Sequence, residues 1–132
     1  MYHKGAGVSQ DFEKAKHWYT KSAAQGLAEA QYRLGVMYEY GDGVTQDDVE
    51  AVSWYRKAAE QGHARAQKWL GWMYSKGRGV PRDYIHAYKW YDIAIANGKN
   101  AYRVYRDRIE QKMTSTQIAK AQRLAREWHA TH

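Results

Sequence analysis

The sequence repeats itself every 36 residues, and this period constrains the fold more than any other feature of the chain. The segment Gly5-Ala6-Gly7-Val8 recurs as Gly41-Asp42-Gly43-Val44 and again as Gly77-Arg78-Gly79-Val80. The same step relates the three Trp-Tyr pairs that begin at Trp18, Trp54 and Trp90. A chain with such a period is expected to fold as stacked copies of one small unit, because each copy buries the apolar face of its neighbour.

The first half of each unit has the spacing of an amphipathic helix. Across residues 28–39, Leu34, Met37 and Tyr38 fall on one stripe at helical spacing. Gly41 follows directly, and glycine adopts the left-handed backbone of a helix-ending turn without steric cost. The pattern therefore predicts a helix that ends at this glycine.

The second half of each unit predicts a second helix. Asp47 is a suitable N-cap, because its side chain can accept hydrogen bonds from the free N–H groups of a first helical turn. The helix is expected to run to about residue 61 and to end at Gly62. Its apolar residues recur at i, i+3, i+4 and i+7, as one stripe: Ala51, Trp54, Tyr55 and Ala58.

Two further features of the repeat predict tight packing. Gly35 and Gly71 stand in the middle of predicted helices, where glycine costs roughly 1 kcal/mol relative to alanine. This cost is expected where a neighbouring helix approaches closely, and we predict that the neighbour is the second helix of the same unit. The framework tryptophans Trp18, Trp54 and Trp90 are predicted to be core residues because they hold a fixed place in the repeat.

These residues together resemble the Sel1-like repeat family, a relative of the tetratricopeptide repeats with a longer unit. The family pattern reads on residues 30–62 as Ala30, Leu34-Gly35, Tyr38, Gly41-x-Gly43-Val44, Asp47, Ala51-x-x-Trp54-Tyr55-x-Lys57-Ala58-Ala59 and Gly62. Residues 66–98 carry most of it a second time. The resemblance implies an all-α fold, an α-solenoid whose helix–turn–helix repeats form a right-handed superhelix, and it points to a bacterial source.

The repeat predicts one α-solenoid domain over residues 1–132. It divides into a partial first repeat at residues 1–27, a second repeat at 28–63, a third at 64–99 and C-terminal capping helices at 100–132. Capping helices are expected because the end of a solenoid must present a polar face. Thr114 and Gln117 have the spacing of a capping box that opens the last of these helices.

The resemblance also implies the function, a non-enzymatic adaptor that binds another protein or a peptide. In such solenoids the first helices of the repeats line a concave groove. We predict as contacts the groove-facing positions of the two full units, most of which differ from one unit to the other: Tyr32, Val36, Glu39, Tyr40, Arg65, Lys68, Trp72, Ser75 and Lys76. Large rings beside cations are typical of binding hot spots. A second interpretation is that these rings pack between repeats and contact no ligand. We favour packing for Trp69, and for Trp72 we give packing and ligand binding equal weight.

Two other functions remain open at this point. Residues 99–132 carry eight Lys and Arg against three Asp and Glu, so a basic surface containing Arg103, Arg106 and Arg123 would attract nucleic acid or an anionic membrane surface. The basic residues are spaced along apparent helices, so we favour a solvated helix face over a nucleic-acid partner. The third interpretation is an architectural segment without a ligand.

The sequence offers no signature of catalysis, of a metal site or of a cofactor. The chain has no cysteine, and its six histidines form no HExxH pattern. The Gly-x-Gly turns lack the third glycine of a dinucleotide-binding loop. No apolar run approaches the roughly 20 residues of a membrane span, and no signal peptide is recognisable. The compartment stays open between cytoplasm and a periplasmic or secreted location.

The N-terminal end of the array predicts self-association. Met1-Tyr2 align with Met37-Tyr38, so the first helix of the first unit is missing and the second helix lacks one packing partner. We expect this uncovered face to pair with another copy of the chain. Light scattering over a micromolar to millimolar concentration series should show a rising mass, whereas a monomer throughout the series would contradict the prediction.

Overall fold

A computed structural model describes the backbone of residues 6–132 and the side chains from residue 13 onward. Every element in this part of the chain is helical, which confirms the predicted all-α fold. The helices, in chain order, are α1 (Ala6–Ala24), α2 (Ala28–Tyr40), α3 (Asp48–Glu60), α4 (Ala64–Lys76), α5 (Tyr84–Ala96), a 3₁₀ turn (Asn100–Tyr102), α6 (Arg103–Glu110) and α7 (Ser115–Thr131).

The helices pack mainly against their neighbours along the chain, as expected of a solenoid. Helices α2 and α3 form one helix–turn–helix pair and α4 and α5 form the next, with α3 packed on α4 between the pairs. Helix α1 packs on α2 at one end, while α6 and α7 both pack on α5 at the other. The arrangement brings the first helices of successive units, α2, α4 and α6, to a shared depression.

The glycine turns have the predicted left-handed backbone. Gly41 has φ 71°, and the following Asp42 donates its backbone N–H to the carbonyl of Met37 at 3.0 Å. Asp47 closes the turn by donating its N–H to the carbonyl of Tyr38 at 2.9 Å. The same bonds recur 36 residues later around Gly77, so one local geometry sets both turns.

The predicted first turn, Gly5-Ala6-Gly7-Val8, differs from the other two. Its residues Ala6 to Val8 belong to helix α1, so the prediction of a turn there is wrong. The other turns are fixed by carbonyls of the preceding first helix, Met37 and Tyr38 in the second unit. The equivalent carbonyls of the first unit belong to residues 1 and 2, which lie outside the described residues, as does Gly5.

The predicted helix caps are present. The Asp47 side chain accepts from the backbone N–H groups of Val49 and Glu50 at 3.0 and 3.2 Å, which satisfies two of the free donors of the first turn. Thr114 and Gln117 form both bonds of a capping box, at 3.1 and 2.9 Å. The first of the capping helices predicted at 100–132 is short, because a 3₁₀ turn at Asn100–Tyr102 precedes α6.

Buried glutamines connect each unit to the one before it. The amide of Gln67 donates to the backbone carbonyl of Ala59 at 3.1 Å and accepts from the Asn97 side chain at 3.2 Å. Gln31, 36 residues earlier, donates to Ala23 O at 3.3 Å and accepts from Gln61 at 2.9 Å. Since an unpaired buried amide is costly, these bonds fix how the units stack.

The framework tryptophans are not equally buried. Trp90 is 2% exposed because α7 covers it and sets the ring of Trp128 at 6.0 Å. Trp54 is half-buried, and Trp18 is 64% exposed, so the prediction that all three are core residues is wrong for Trp18. Among the described helices, α1 packs mainly on α2, whereas α3 packs on α2 and α4, and α5 packs on α4, α6 and α7. The tryptophan of α1 is therefore covered less than those of α3 and α5.

Substitution of Gly35 tests the close approach of helices within a unit. A Cβ at Gly35 would lie 2.5 Å from Cδ1 of Tyr55, a fully buried ring, and the equivalent Gly71 meets Tyr91 in the same way. We expect Gly35→Ala to lower the free energy of unfolding by roughly 1–2 kcal/mol, because overpacking outweighs the gain in helix propensity. Urea unfolding measures this change. In a Tyr55→Leu background the effect should shrink, and a neutral or stabilising Gly35→Ala would contradict the contact.

Candidate functional site

A groove runs between the three first helices and is formed by two adjoining pockets. The larger pocket, of about 220 Å³, is lined by Glu39, Tyr40, Lys68, Trp69, Trp72, Arg78 and Tyr105. The smaller, of about 80 Å³, is lined by Trp72, Ser75, Lys76, Tyr84, Tyr91, Tyr105, Arg108, Ile109 and Lys112. Trp72 and Tyr105 line both pockets, so the two pockets adjoin at these rings. We call this surface the α2–α4–α6 groove.

Helix periodicity explains why these side chains meet. Lys68, Trp72 and Ser75 follow one another at helical spacing on α4. The larger pocket places residues of α4 beside residues of α2 and α6. Tyr40 is the last residue of α2, and Tyr105 lies on α6. Each first helix therefore contributes one side of the groove.

Six of the nine residues predicted as contacts line the groove, and three do not. The six are Glu39, Tyr40, Lys68, Trp72, Ser75 and Lys76. Tyr32 is 7% exposed, because its ring stacks on His63 at 4.8 Å and packs near Tyr55. Val36 packs against the core, and Arg65 is exposed outside the lining. Tyr32 thus has little surface for a ligand and stabilises the unit instead.

Two of the lining residues, Glu39 and Ser75, are buried beneath the groove. The Tyr55 hydroxyl donates to Oε1 of Glu39 at 2.7 Å, and burial raises the pKa of both groups. Ser75, 36 residues later, donates its hydroxyl to the carbonyl of Trp72 at 2.7 Å. Burial raises the pKa of Tyr91, the equivalent of Tyr55, to about 12. Because Glu39 and Ser75 have hydrogen-bond partners within the protein, they hold the helices beneath the groove in place and have little capacity to contact a ligand.

Arg78 holds one wall of the groove in place. Its Nε and Nη2 donate to the two carboxylate oxygens of Asp48 at 3.1 and 3.0 Å, a bidentate pair that raises the pKa of the guanidinium. The guanidinium lies 5.2 Å from the ring centre of Trp72, and Nη1 is 3.9 Å from Oε2 of Glu39. Arg78 links the turn of the third unit to the second, and it orients Trp72.

Lys68 is held by rings. Its ammonium group lies 4.3 Å from the ring of Trp69, 5.0 Å from Tyr105 and 5.5 Å from Tyr102. Cation–π contacts of this kind place a charge without neutralising it. Trp69 also packs edge-on against Trp72 at 5.7 Å, in agreement with the packing role favoured for it.

Several residues that line the groove were not predicted as contacts from the sequence. Arg78 occupies the variable position of a Gly-x-Gly turn, where the preceding unit has Asp42, and Tyr84 opens a second helix. Tyr105, Arg108 and Lys112 lie in the segment interpreted as a cap. The repeat period does point to these residues. Segment 100–112 follows α4 by one period, so it takes the place that a further first helix would have beside the groove.

The basic C-terminal helices are partly neutralised. Arg106 donates from Nη1 to Asp92 at 2.9 Å, lies over the ring of Tyr88, and is half-buried. Arg123 lies 3.8 Å from Glu127 on the same helix. Arg103 is exposed. The cationic surface considered for nucleic acid is therefore smaller than the sequence suggests.

The described part of the chain contains no group of three or more histidine, cysteine or acidic side chains placed to hold a metal ion. His132, one of the C-terminal pair, stacks on Trp128 at 3.9 Å and contacts Glu60 at 3.1 Å. Among the helices of residues 6–132, none has both the length and the apolar character needed to cross a bilayer.

Stacked helix pairs with a groove between their first helices define a helical repeat protein. The chain belongs to the Sel1 repeat family, whose model matches residues 1–27, 28–63 and 64–99. It resembles the crystal structure of a protective antigen of uropathogenic Escherichia coli with an SLR fold (TM-score 0.84, 41% identity), covering 87% of this chain and 25% of that one. A Sel1 repeat protein from Oxalobacter formigenes is similarly close (TM-score 0.71, 43% identity), covering 74% and 40%.

A curated relative from Acanthamoeba polyphaga mimivirus, described as sel1-like repeat-containing, is 57% identical over 35 residues. This match covers 26% of the present chain and 7% of the viral protein. The chain thus spans less than half the length of each of these three relatives. The two solved relatives come from bacteria and the curated one from a virus.

The buried Glu39 makes a pH dependence testable. Its pKa is raised in the folded state, so the protonated carboxyl stabilises the fold at low pH, and this contribution is lost as pH rises through the folded pKa. Glu39→Gln does not titrate and retains an acceptor for the Tyr55 hydroxyl. Between about pH 4 and about pH 7, its unfolding free energy should therefore rise relative to wild type. Parallel pH profiles in chemical denaturation would contradict this, and Glu50→Gln on the exposed surface provides the control.

Proposed function

We propose that this chain is a non-catalytic adaptor that binds a segment of another protein in the α2–α4–α6 groove. Sel1 repeat proteins are in general protein-interaction modules. The observation that carries the proposal is the composition of the groove, where aromatic rings and cations from three successive first helices meet at Trp72 and Tyr105. Rings beside cations are enriched in protein-binding hot spots.

Within this proposal the lining residues divide into contacts and supports. Tyr40 is 55% exposed, Lys76 is exposed, and Lys68 and Trp72 are half-buried, so these four offer surface to a partner. Glu39 and Ser75, buried beneath, hold Tyr55 and the end of α4. Tyr32 and Val36 support α2, and Arg65 lies outside the lining. Self-association through the first unit stays a separate prediction.

The nucleic-acid alternative finds less support. Phosphate binding depends on free cations, and Arg106 is paired with Asp92 while Arg123 lies near Glu127. The architectural alternative gives no reason for rings and cations of α2, α4 and α6 to meet in one groove. We therefore favour groove binding.

Selection from a random peptide library displayed on phage, followed by affinity measurement, tests the groove. We expect selected peptides to lose at least about 30-fold in affinity for Tyr40→Ala/Trp72→Ala, because hot-spot rings contribute about 2 kcal/mol or more each. Trp18→Ala removes a comparably large exposed ring outside the groove and should leave binding unchanged. Circular dichroism confirms that each variant folds.

Two outcomes would reject the proposal. Equal loss in the Trp18 variant would place binding outside the groove, and full retention in the double variant would do the same. Loss of binding in Arg103→Glu/Arg123→Glu alone, with a steep salt dependence, would favour the nucleic-acid alternative.

A further inference from the structure

The charge of the groove is strongly one-sided. Its lining includes five cationic side chains: Lys68, Lys76, Arg78, Arg108 and Lys112. The one carboxyl group in the lining is that of Glu39, whose side chain is 3% exposed and accepts a hydrogen bond from Tyr55. A ligand in the groove therefore faces positive charge, and the single acidic group lies beneath the surface.

Most of this charge is not neutralised within the molecule. Arg78 is paired with Asp48, but no described carboxylate forms an ion pair with Lys68, Lys76, Arg108 or Lys112. Lys68 is surrounded by rings, and the ammonium group of Lys112 lies 5.9 Å from the ring of Tyr84. Uncompensated cations in a walled groove attract an anionic partner more strongly than the same cations on an open face.

The walls between the cations are aromatic. Tyr91 stacks on Tyr105 at 5.8 Å, and Trp72 stands between the two pockets. Both pockets, of about 220 and 80 Å³, are smaller than the 300–1,000 Å³ typical of small-molecule sites. Spaces of this size fit single side chains of an extended chain that continues along the groove.

From this charge and shape we infer that the groove binds an acidic peptide segment, with an apolar side chain against Tyr40 and Trp72 and carboxylates directed to Lys76, Arg108 and Lys112. The inference rests on the proposed function and names the chemistry of its partner. Charge complementarity fixes the occupant, because a basic segment would meet four unpaired cations and a neutral one would leave them uncompensated.

A protein segment fits these observations better than a nucleic acid does. Single-stranded nucleic acids bind where successive bases stack on free aromatic faces. Here the ring of Trp69 is engaged by Lys68 and by Trp72, and Tyr105 contacts Lys68 and stacks on Tyr91. With these two rings engaged, Tyr40 and Trp72 offer too few open faces for a run of stacked bases, whereas carboxylates need only the exposed cations.

Three labelled peptide pools test the inference with the full chain. Each peptide has eight residues, in which four randomised positions alternate with four fixed ones. The fixed residue is glutamate in the first pool, glutamine in the second and lysine in the third. Fluorescence anisotropy should show the glutamate pool binding about tenfold or more tightly than the glutamine pool, and the lysine pool binding most weakly. Lys76→Glu/Lys112→Glu should abolish the preference for glutamate. Lys120→Glu/Arg126→Glu makes the same change in net charge on the exposed face of α7 and should retain it.

The remaining outcomes overturn the inference in distinguishable ways. Equal binding of the glutamate and glutamine pools, or equal loss in both charge-reversed variants, would show that the groove cations do not select the partner. Tighter binding of an oligothymidine of equal length, lost in the groove variant, would assign the site to nucleic acid. If a neutral or basic pool binds best and Tyr40→Ala/Trp72→Ala abolishes it, the proposed function stands and the acidic partner fails. Absence of groove-dependent binding in every pool would reject both.

Discussion

The contact between a tyrosine ring and a helical glycine determines the geometry on which the rest of this structure depends. Tyr55 on α3 lies against Gly35 on α2, and Tyr91 on α5 lies against Gly71 on α4. Because no Cβ separates the ring from the backbone, the two helices of a unit approach closely. The hydroxyl of Tyr55 then reaches Glu39 at 2.7 Å, one helical turn further along α2. A single buried side chain thus sets both the spacing of the pair and the polar floor beneath the groove.

Much of the fold was predictable, because the repeat encodes local structure redundantly. The turn at Gly41, the cap at Asp47 and the capping box at Thr114 each follow from backbone chemistry that acts over a few residues. The burial of Trp18 was not predictable in the same way. Its place in the repeat is that of Trp90, but burial depends on the helix packed above the ring, and α7 supplies that only for Trp90.

The candidate site was predictable in outline and not in detail. Helical spacing placed Tyr40, Lys68, Trp72 and Lys76 on the groove side, where the structure has them. Spacing alone did not separate these from Tyr32, whose ring turns toward His63, the N-cap residue of α4. Nor did it find Arg78, which comes from a turn and acts across the boundary between units. Contacts between units depend on how the units stack, and this information is not local in the sequence.

The buried glutamines have a consequence for the array as a whole. Each amide joins the end of the preceding second helix to the end of its own, as Gln31 does with Ala23 and Gln61, and Gln67 with Ala59 and Asn97. The angle between adjacent units is thereby passed along by nearest-neighbour coupling, as in a one-dimensional lattice. The curvature of the groove is then the sum of the angles between successive units. A substitution that alters one of these angles would reorient every unit beyond that boundary.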